Sequence, residues 1–160
     1  VYDRRHMGQI TEETPVRPTT RKGRVRLKLS EMLMEEVEKG RLDAMIVRSA
    51  DFYGPRIEHS MVVDNIYRRF RAGDRARWFG PLRCRHSCTH VRDAGRAMAL
   101  LGNTPEAYNQ VWHLPTRPDP PTGKEWIELF ARHMEIEDRE MLRLTCWQMA
   151  PIRLNKANFW

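Results

Sequence analysis

The sequence predicts an α/β fold built on a parallel sheet, and three observations carry that expectation. Ala44-Met45-Ile46-Val47 is a short apolar run between the charged turn Lys39-Gly40-Arg41-Leu42-Asp43 and the breaker pair Gly54-Pro55, the pattern of a strand buried on both faces. Helical apolar spacing flanks it on both sides, giving the order helix, strand, loop, helix. A second short run, Val111 to Leu114, also reads as a buried strand between helical patterns. In open sheets of this kind ligands collect where the chain leaves the carboxyl ends of the strands, so Arg48 to Tyr53 is the first place to look for function.

Taken in order, Arg4 to Pro18 is polar, and Thr11, Thr14, Pro15 and Pro18 favour an extended loop. A helix follows from about Thr20 to Lys39, with Val25, Leu29, Met32, Leu33 and Val37 as its apolar stripe and Gly40 as a left-handed stop. After Pro55 a second helix presents Val63, Ile66, Tyr67 and Phe70 on one face, ending at Gly73. Arg77-Trp78-Phe79 and Ser87 to Val91 read as short strands around a turn at Gly80-Pro81. Asp93 is placed to cap a third helix whose Ala94, Ala97, Met98 and Leu101 form a narrow face, closed by Gly102-Asn103. Thr122-Gly123-Lys124-Glu125 is a capping box for a helix with Trp126, Leu129, Phe130 and His133 on one side. Beyond it the pattern weakens to a strand at Met141 to Leu144 and a helix interrupted near Pro151.

With 160 residues, 41% of them apolar and five Trp, the chain has the means for one sizeable core. The net charge of +7 attracts anions. Much of it sits in Arg68, Arg69, Arg71, Arg75, Arg77, Arg83 and Arg85 and in the Arg21 to Lys28 segment; a solvated Arg-rich face is the simpler reading of both. Nucleic acid is the less favoured partner, because the second segment belongs to an amphipathic helix and the aromatics sit at core spacings. Cys84, Cys88 and Cys146 form no dense framework, which suits a reducing compartment. No apolar run approaches the ~20 residues that span a bilayer, and Asp3, Arg4 and Arg5 stand in place of an apolar signal core; the expectation is a cytoplasmic protein without membrane contact.

Cys84, His86, Cys88 and His90 alternate along the chain and invite a zinc reading, which strand geometry opposes. A rise of about 3.3 Å per residue spreads the outer pair over roughly 20 Å, whereas a tetrahedral site needs its donor atoms within about 4 Å. The expectation is no metal. Neither a Cys nor a Ser is paired in sequence with a base, and the six histidines are scattered.

Arg48-Ser49-Ala50-Asp51-Phe52-Tyr53-Gly54-Pro55 resembles the Arg-x-x-Asn-x-Tyr-Gly-Pro signature of extended short-chain dehydrogenases, the NAD-dependent epimerase/dehydratase family. Other landmarks keep that family's order. Val1-Tyr2 looks like the end of the fifth Rossmann strand, and Glu13-Thr14-Pro15 with Pro18 resembles the loop before the catalytic helix. His90-Val91-Arg92-Asp93 is similar to the Tyr-Val-x-Asp segment, and Val111 to Leu114 to the last core strand. The resemblance implies the carboxy-terminal half of a Rossmann-type doubly wound parallel sheet with a small α/β substrate-binding subdomain. It divides the chain into residues 1–55 (last part of the Rossmann domain), 56–92 (substrate-binding subdomain), 93–135 (returning helix, strand and helix) and 136–160 (carboxy-terminal substrate-side segment).

Three departures qualify the resemblance. The Gly-rich turn on which the family places its dinucleotide is not found in these residues, so a missing amino-terminal Rossmann half is an expected partner; a small-molecule substrate and a second copy in a homodimer are the other partners that the resemblance implies. The family's Tyr-x-x-x-Lys pair falls on Lys22 and Arg26; arginine keeps its proton, and a lysine acts as acid or base only when burial or a neighbouring charge such as Arg26 depresses its pKa. Where members acting on nucleotide sugars have Arg-Asp-Phe, with the Arg on the substrate pyrophosphate, this chain has His86, Ser87 and Cys88. The resemblance thus implies an altered, atypical oxidoreductase using NAD or NADP. Lys22 and Arg26 are its catalytic candidates. Arg26, Ser49, Ala50, Asp51 and Phe52 would lie on the cofactor side, and Tyr53, His59 and His86 on the substrate side. The alternative is a non-catalytic binding or scaffold protein of the same fold that offers its basic surface to an anionic partner.

Overall fold

The computed structural model describes residues 1–6, 8–137 and 145–147. The chain has mixed α/β structure in the order α1 (Arg21–Glu38), β1 (Ile46–Arg48), β2 (Asp51–Tyr53), α2 (Arg68–Arg71), β3 (Arg77–Phe79), β4 (Cys88–His90), α3 (Val91–Gly102), β5 (Val111–His113), α4 (Gly123–His133) and β6 (Thr145–Trp147). It forms two compact units, Val1–Ala50 with Thr89–Pro115 and Asp51–Cys88 with Thr116–Trp160, each described by itself.

In the first unit β1 and β5 run parallel, in the register Ile46↔Val111, Val47↔Trp112 and Arg48↔His113. The strand begins at Ile46 instead of Ala44 because Asn109, held at a left-handed φ of 62°, takes both backbone groups of Ala44. Its Oδ1 accepts the Ala44 N–H at 3.2 Å and its own N–H donates to the Ala44 carbonyl at 2.7 Å. Instead of being buried on both faces, β1 is half-buried, since β5 is its one sheet neighbour among the described residues.

The Thr20 hydroxyl accepts the Gly23 N–H at 3.1 Å and starts α1 where the sequence placed it; Gly40 closes the turn beyond with φ 64°. A Cβ on Gly23 would stand 2.6 Å from the Pro18 Cβ, so only glycine lets this turn lie against the preceding loop. The inward face carries Gly23, Leu27, Leu33, Met34 and Val37, so the expected stripe holds at Leu33 and Val37. The expected stripe is rotated outward at Val25, Leu29 and Met32, all more than half exposed. In α3 the expected cap also moves. His90 is the N-cap and makes no side-chain cap bond, while Asp93 lies inside the first turn, where its carboxylate meets the positive helix end.

The second unit holds the larger core: Val62, Ile66, Phe70, Ala76, Trp78, Cys88, Trp126, Ile127 and Ala131. Its first helix is not uniform, since a π-helical turn at Val63–Tyr67 leads into α2. The wider turn puts Val62, Ile66 and Phe70 inward at four-residue intervals and leaves Tyr67 exposed, correcting the predicted face. In α4 the capping box is complete, with Glu125 N–H on Thr122 Oγ1 at 3.2 Å and Thr122 N–H on Glu125 Oε2 at 2.7 Å. Its buried face is Trp126, Ile127 and Ala131, with Leu129 and His133 exposed, because Gly123 seats the first turn against the Trp78 indole. Strand β3 pairs in parallel with β6. The strand expected at Met141 to Leu144 and the helix near Pro151 lie outside the described residues. No helix among the described residues is long and apolar enough to cross a membrane.

Candidate functional site

In the first unit the carboxyl ends of β1 and β5 bring Arg48 and His113 side by side, and the amino-terminal segment folds over them. Asp3 N–H donates to the Pro15 carbonyl at 2.8 Å, and the buried Asp3 carboxylate binds Arg5, which holds its pKa well below the usual range. Tyr2 is thereby set against the strand ends. Its hydroxyl bonds His113 Nε2 and accepts from Arg48 at 2.9 Å, while the Arg48 guanidinium lies 5.2 Å from the centre of its ring. Glu12 Oε1 accepts the His113 backbone N–H at 2.7 Å, and its Oε2 lies 4.0 Å from His113 Nδ1. Neighbouring Glu13 has its pKa lowered by hydrogen bonds to Thr11 and to its own backbone, with a smaller effect from the His113 charge.

Lys22 and Arg26 stand exposed one turn apart at the amino end of α1. The side chain of Ser49 is turned to the Ala50 carbonyl at 2.6 Å, and Ala50 is half-buried. These four residues and the Tyr2 cluster all belong to the first unit.

In the second unit the structure joins two residues that the sequence had singled out separately. His86 Nε2 donates to Asp51 Oδ2 at 2.8 Å. Four contacts position the imidazole. The His86 N–H donates to the Pro121 carbonyl at 2.9 Å, its carbonyl accepts the Trp126 indole N–H at 3.0 Å, Trp78 meets the ring edge-on at 5.5 Å, and Asp51 fixes the tautomer. The bond to His86 lowers the Asp51 pKa, and partial burial opposes that shift without reversing it. An ionised Asp51 keeps the proton on Nε2, so Nδ1 is the nitrogen left to act as acceptor or base. Two residues along, the Cys88 thiol is pushed up to about 12 by burial and then by the Asp51 charge, which makes it a packing group at neutral pH and not a nucleophile.

Tyr53 packs edge-on against Trp126 at 5.4 Å, in the same unit as the Asp51–His86 pair, and Phe52 is half-buried on the same strand. His59 is exposed and pairs with Asp64 at 3.3 Å, not with Asp51 or His86. Arg85 turns to Asp119 at 2.6 Å and the Pro120 carbonyl at 2.8 Å. Sequence reasoning missed Tyr2, Glu12 and His113 as site residues. The matched ends of the two parallel strands were the available signal, since Arg48 opens the motif and His113 closes Val111 to Leu114.

A comparison with curated proteins finds no match. Among solved structures the chain is similar to dTDP-glucose 4,6-dehydratase from Bacillus anthracis in complex with NAD, with TM-score 0.74 and 15% identity over 89% of this chain and 44% of that one. It is similar to UDP-glucose 4-epimerase from Thermus thermophilus in complex with NAD, with TM-score 0.66 and 21% identity over 78% and 42%. UDP-N-acetylglucosamine 4-epimerase from Methanobrevibacter ruminantium gives TM-score 0.69 and 15% identity over 90% and 46%. The chain therefore spans less than half the length of these structures, and at such identities they speak for the Rossmann-like α/β fold alone. The NAD dependent epimerase/dehydratase family matches residues 1–113, which include α1, the Arg48 to Pro55 motif, the Asp51–His86 pair and both strands that carry the Tyr2 cluster. The chain belongs to the NAD dependent epimerase/dehydratase family.

Proposed function

We propose that this chain is part of an NAD(P)-dependent oxidoreductase of the epimerase/dehydratase type, acting on a small or sugar-like substrate. The observation that carries the reading is the Arg48 to Pro55 motif leaving a parallel strand pair at its carboxyl edge, within the segment matched by the family. When bound, NAD(P) supplies the hydride acceptor and donor. Lys22 and Arg26 fit that group as exposed cationic donors one turn apart, suited to ribose hydroxyls and phosphate oxygens. In this reading Ser49, Ala50, Asp51 and Phe52 serve the cofactor side. His86, oriented by Asp51, and Tyr53 serve the substrate, and His59 extends that side.

The test is a titration of NADH and NADPH against the full-length gene product containing these residues, with Lys22→Ala and Arg26→Ala beside it. Saturable binding that weakens about 10-fold or more in either variant, the loss of ~1.5–3 kcal/mol expected for a hydrogen bond to a charged group, supports the reading. No binding of either nucleotide at millimolar concentration refutes it. The exposed pair Lys22 and Arg26, on a chain of net charge +7, favours one alternative, a binding protein for an anionic partner. Association with generic RNA or DNA that falls steeply in log salt would select it.

A further inference from the structure

The exposed Lys22 leaves open which group moves the substrate's hydroxyl proton, and the strand ends of the first unit hold a better arranged set. We propose that Tyr2 is the proton-transfer residue, passing its proton to His113 along a chain that runs from Arg48 through Tyr2 and His113 to Glu12. The inference deepens the oxidoreductase reading and rests on it.

Three features distinguish this set from a chance surface contact. Its members come from separate parts of the first unit, the amino-terminal segment bridged to Val16, the loop that carries Glu12, β1 and β5, and they converge where ligands meet open α/β sheets. The phenolic oxygen is engaged from two sides, by His113 Nε2 and by an Arg48 N–H at 2.9 Å, so negative charge developing there meets a fixed cation. Glu12 is itself pinned, its Oε1 on the His113 backbone N–H at 2.7 Å, which keeps Oε2 4.0 Å from Nδ1. Carboxylate, imidazole and hydroxyl in series is the arrangement by which a base is oriented and a hydroxyl is made to give up its proton. At 4.0 Å the carboxylate acts through charge, a separation that commonly tightens once substrate binds. Tyr2, Glu12 and His113 are each only part-buried, so the phenol can be reached by a ligand and the imidazole by water.

The ligand class is a secondary alcohol or the ketone derived from it. In the oxidising direction the carbinol C–H leaves as hydride to NAD(P), and the carbinol O–H proton passes to the Tyr2 oxygen. The Tyr2 proton passes to His113 Nε2, the carbonyl double bond forms, and the imidazolium beside Glu12 releases its proton to water. Reduction runs the same transfers backwards.

The deciding experiment is ¹⁵N NMR of the histidine rings in the full-length gene product, with His113→Gln assigning the signals and Tyr2→Phe perturbing them. The expected result near neutral pH is a proton on His113 Nδ1 and a bare, hydrogen-bonded Nε2 whose signal moves in Tyr2→Phe. With NAD+ and dTDP-glucose as probes, Tyr2→Phe should lower NAD+ reduction by about 10²- to 10⁴-fold and leave the NADH Kd unchanged. A His113 with its proton on Nε2, or Tyr2→Phe reducing NAD+ at the wild-type rate, overturns the proposal. Failure of the wild type to bind NADH or NADPH removes the oxidoreductase reading instead. In that case, or if the probe is not turned over, the ring nitrogen decides the relay alone: a bare Nε2 keeps it and a protonated one ends it.

Discussion

Replacing Gly123 with alanine tests how tightly the second core is built and whether it positions His86. A Cβ there would stand 2.3 Å from Trp78 Nε1, 2.4 Å from Cε2 and 2.8 Å from Cδ1. Carbon contacts settle near ~3.5 Å or beyond, so the indole must retreat by about 1 Å. It has little room to do so, being 2% exposed and enclosed in the cluster with Ile127 and Trp126. Overpacking of this kind costs about 1–3 kcal/mol, and the restriction of the unfolded chain by alanine offsets about 0.4–1 kcal/mol. The difference is a net loss of up to about 2.6 kcal/mol, centred near ~1 kcal/mol, and each kcal/mol lowers Tm by about 2–4 °C in a protein of roughly 150–250 residues and by less in a longer one.

The readout is a thermal melt of the full-length gene product, with Trp78→Phe and the double variant completing a cycle. Trp78→Phe shortens the ring and removes the clashing edge, so Gly123→Ala should cost about 1 kcal/mol less in that background. The same displacement passes to His86 through the edge contact at 5.5 Å, so the His86 ring signals should shift in Gly123→Ala alone. A Gly123→Ala protein as stable as the wild type, or a cycle with no coupling, would refute the packing argument.

Three further outcomes follow from the same geometry. Because His86 depresses the Asp51 pKa, the contribution of that bond is full above the ordinary carboxylate value of about 3.9 and is lost as pH falls through the lower folded value. Asp51→Asn should therefore lower stability above about pH 4, with the difference from the wild type shrinking as pH falls, and a loss that is the same at every pH would contradict the linkage. Cys88, raised from 9.0 to about 12, stabilises the fold below pH 9 and ceases to do so as pH climbs toward 12; at about pH 8 iodoacetamide should modify exposed Cys84 and spare Cys88, and equal labelling would contradict the burial. Thr122→Ala removes one half of a complete capping box and should cost about 1 kcal/mol in urea unfolding.

The sequence was most legible where a local rule acts alone. Thr20 and Thr122 began their helices as their hydroxyls require, Gly40 ended one with its left-handed φ, and Arg77 to Phe79 formed the expected strand. It was least legible where another part of the chain sets the rotation or the starting point of an element. Pro18 against Gly23 turned α1, Trp78 against Gly123 turned α4, and Asn109 delayed β1. The π-helical turn at Val63–Tyr67 belongs to the same class, since a period of about 3.6 cannot announce an extra residue in one turn. Of the proposed site, the motif was readable and the pairing was not: nothing local in Asp51 points to a histidine 35 residues away.

That pairing makes sense of two departures that looked independent. Asp51 stands where the family motif has asparagine, and His86 where its nucleotide-sugar members have arginine. An asparagine amide offers one neutral oxygen, whereas a carboxylate accepts a charge-assisted bond and holds the imidazole in one tautomer. Exchanging arginine for histidine removes a permanent cation, and exchanging asparagine for aspartate adds an anion, so together the two changes take about two units of positive charge from the spot when the imidazole is neutral. A ligand carrying a pyrophosphate gains less there than it would beside arginine. Exchanging asparagine for aspartate gives the His86 imidazole a charge-assisted partner that fixes its tautomer, which is why Asp51 and His86 are better read as a single change than as two losses.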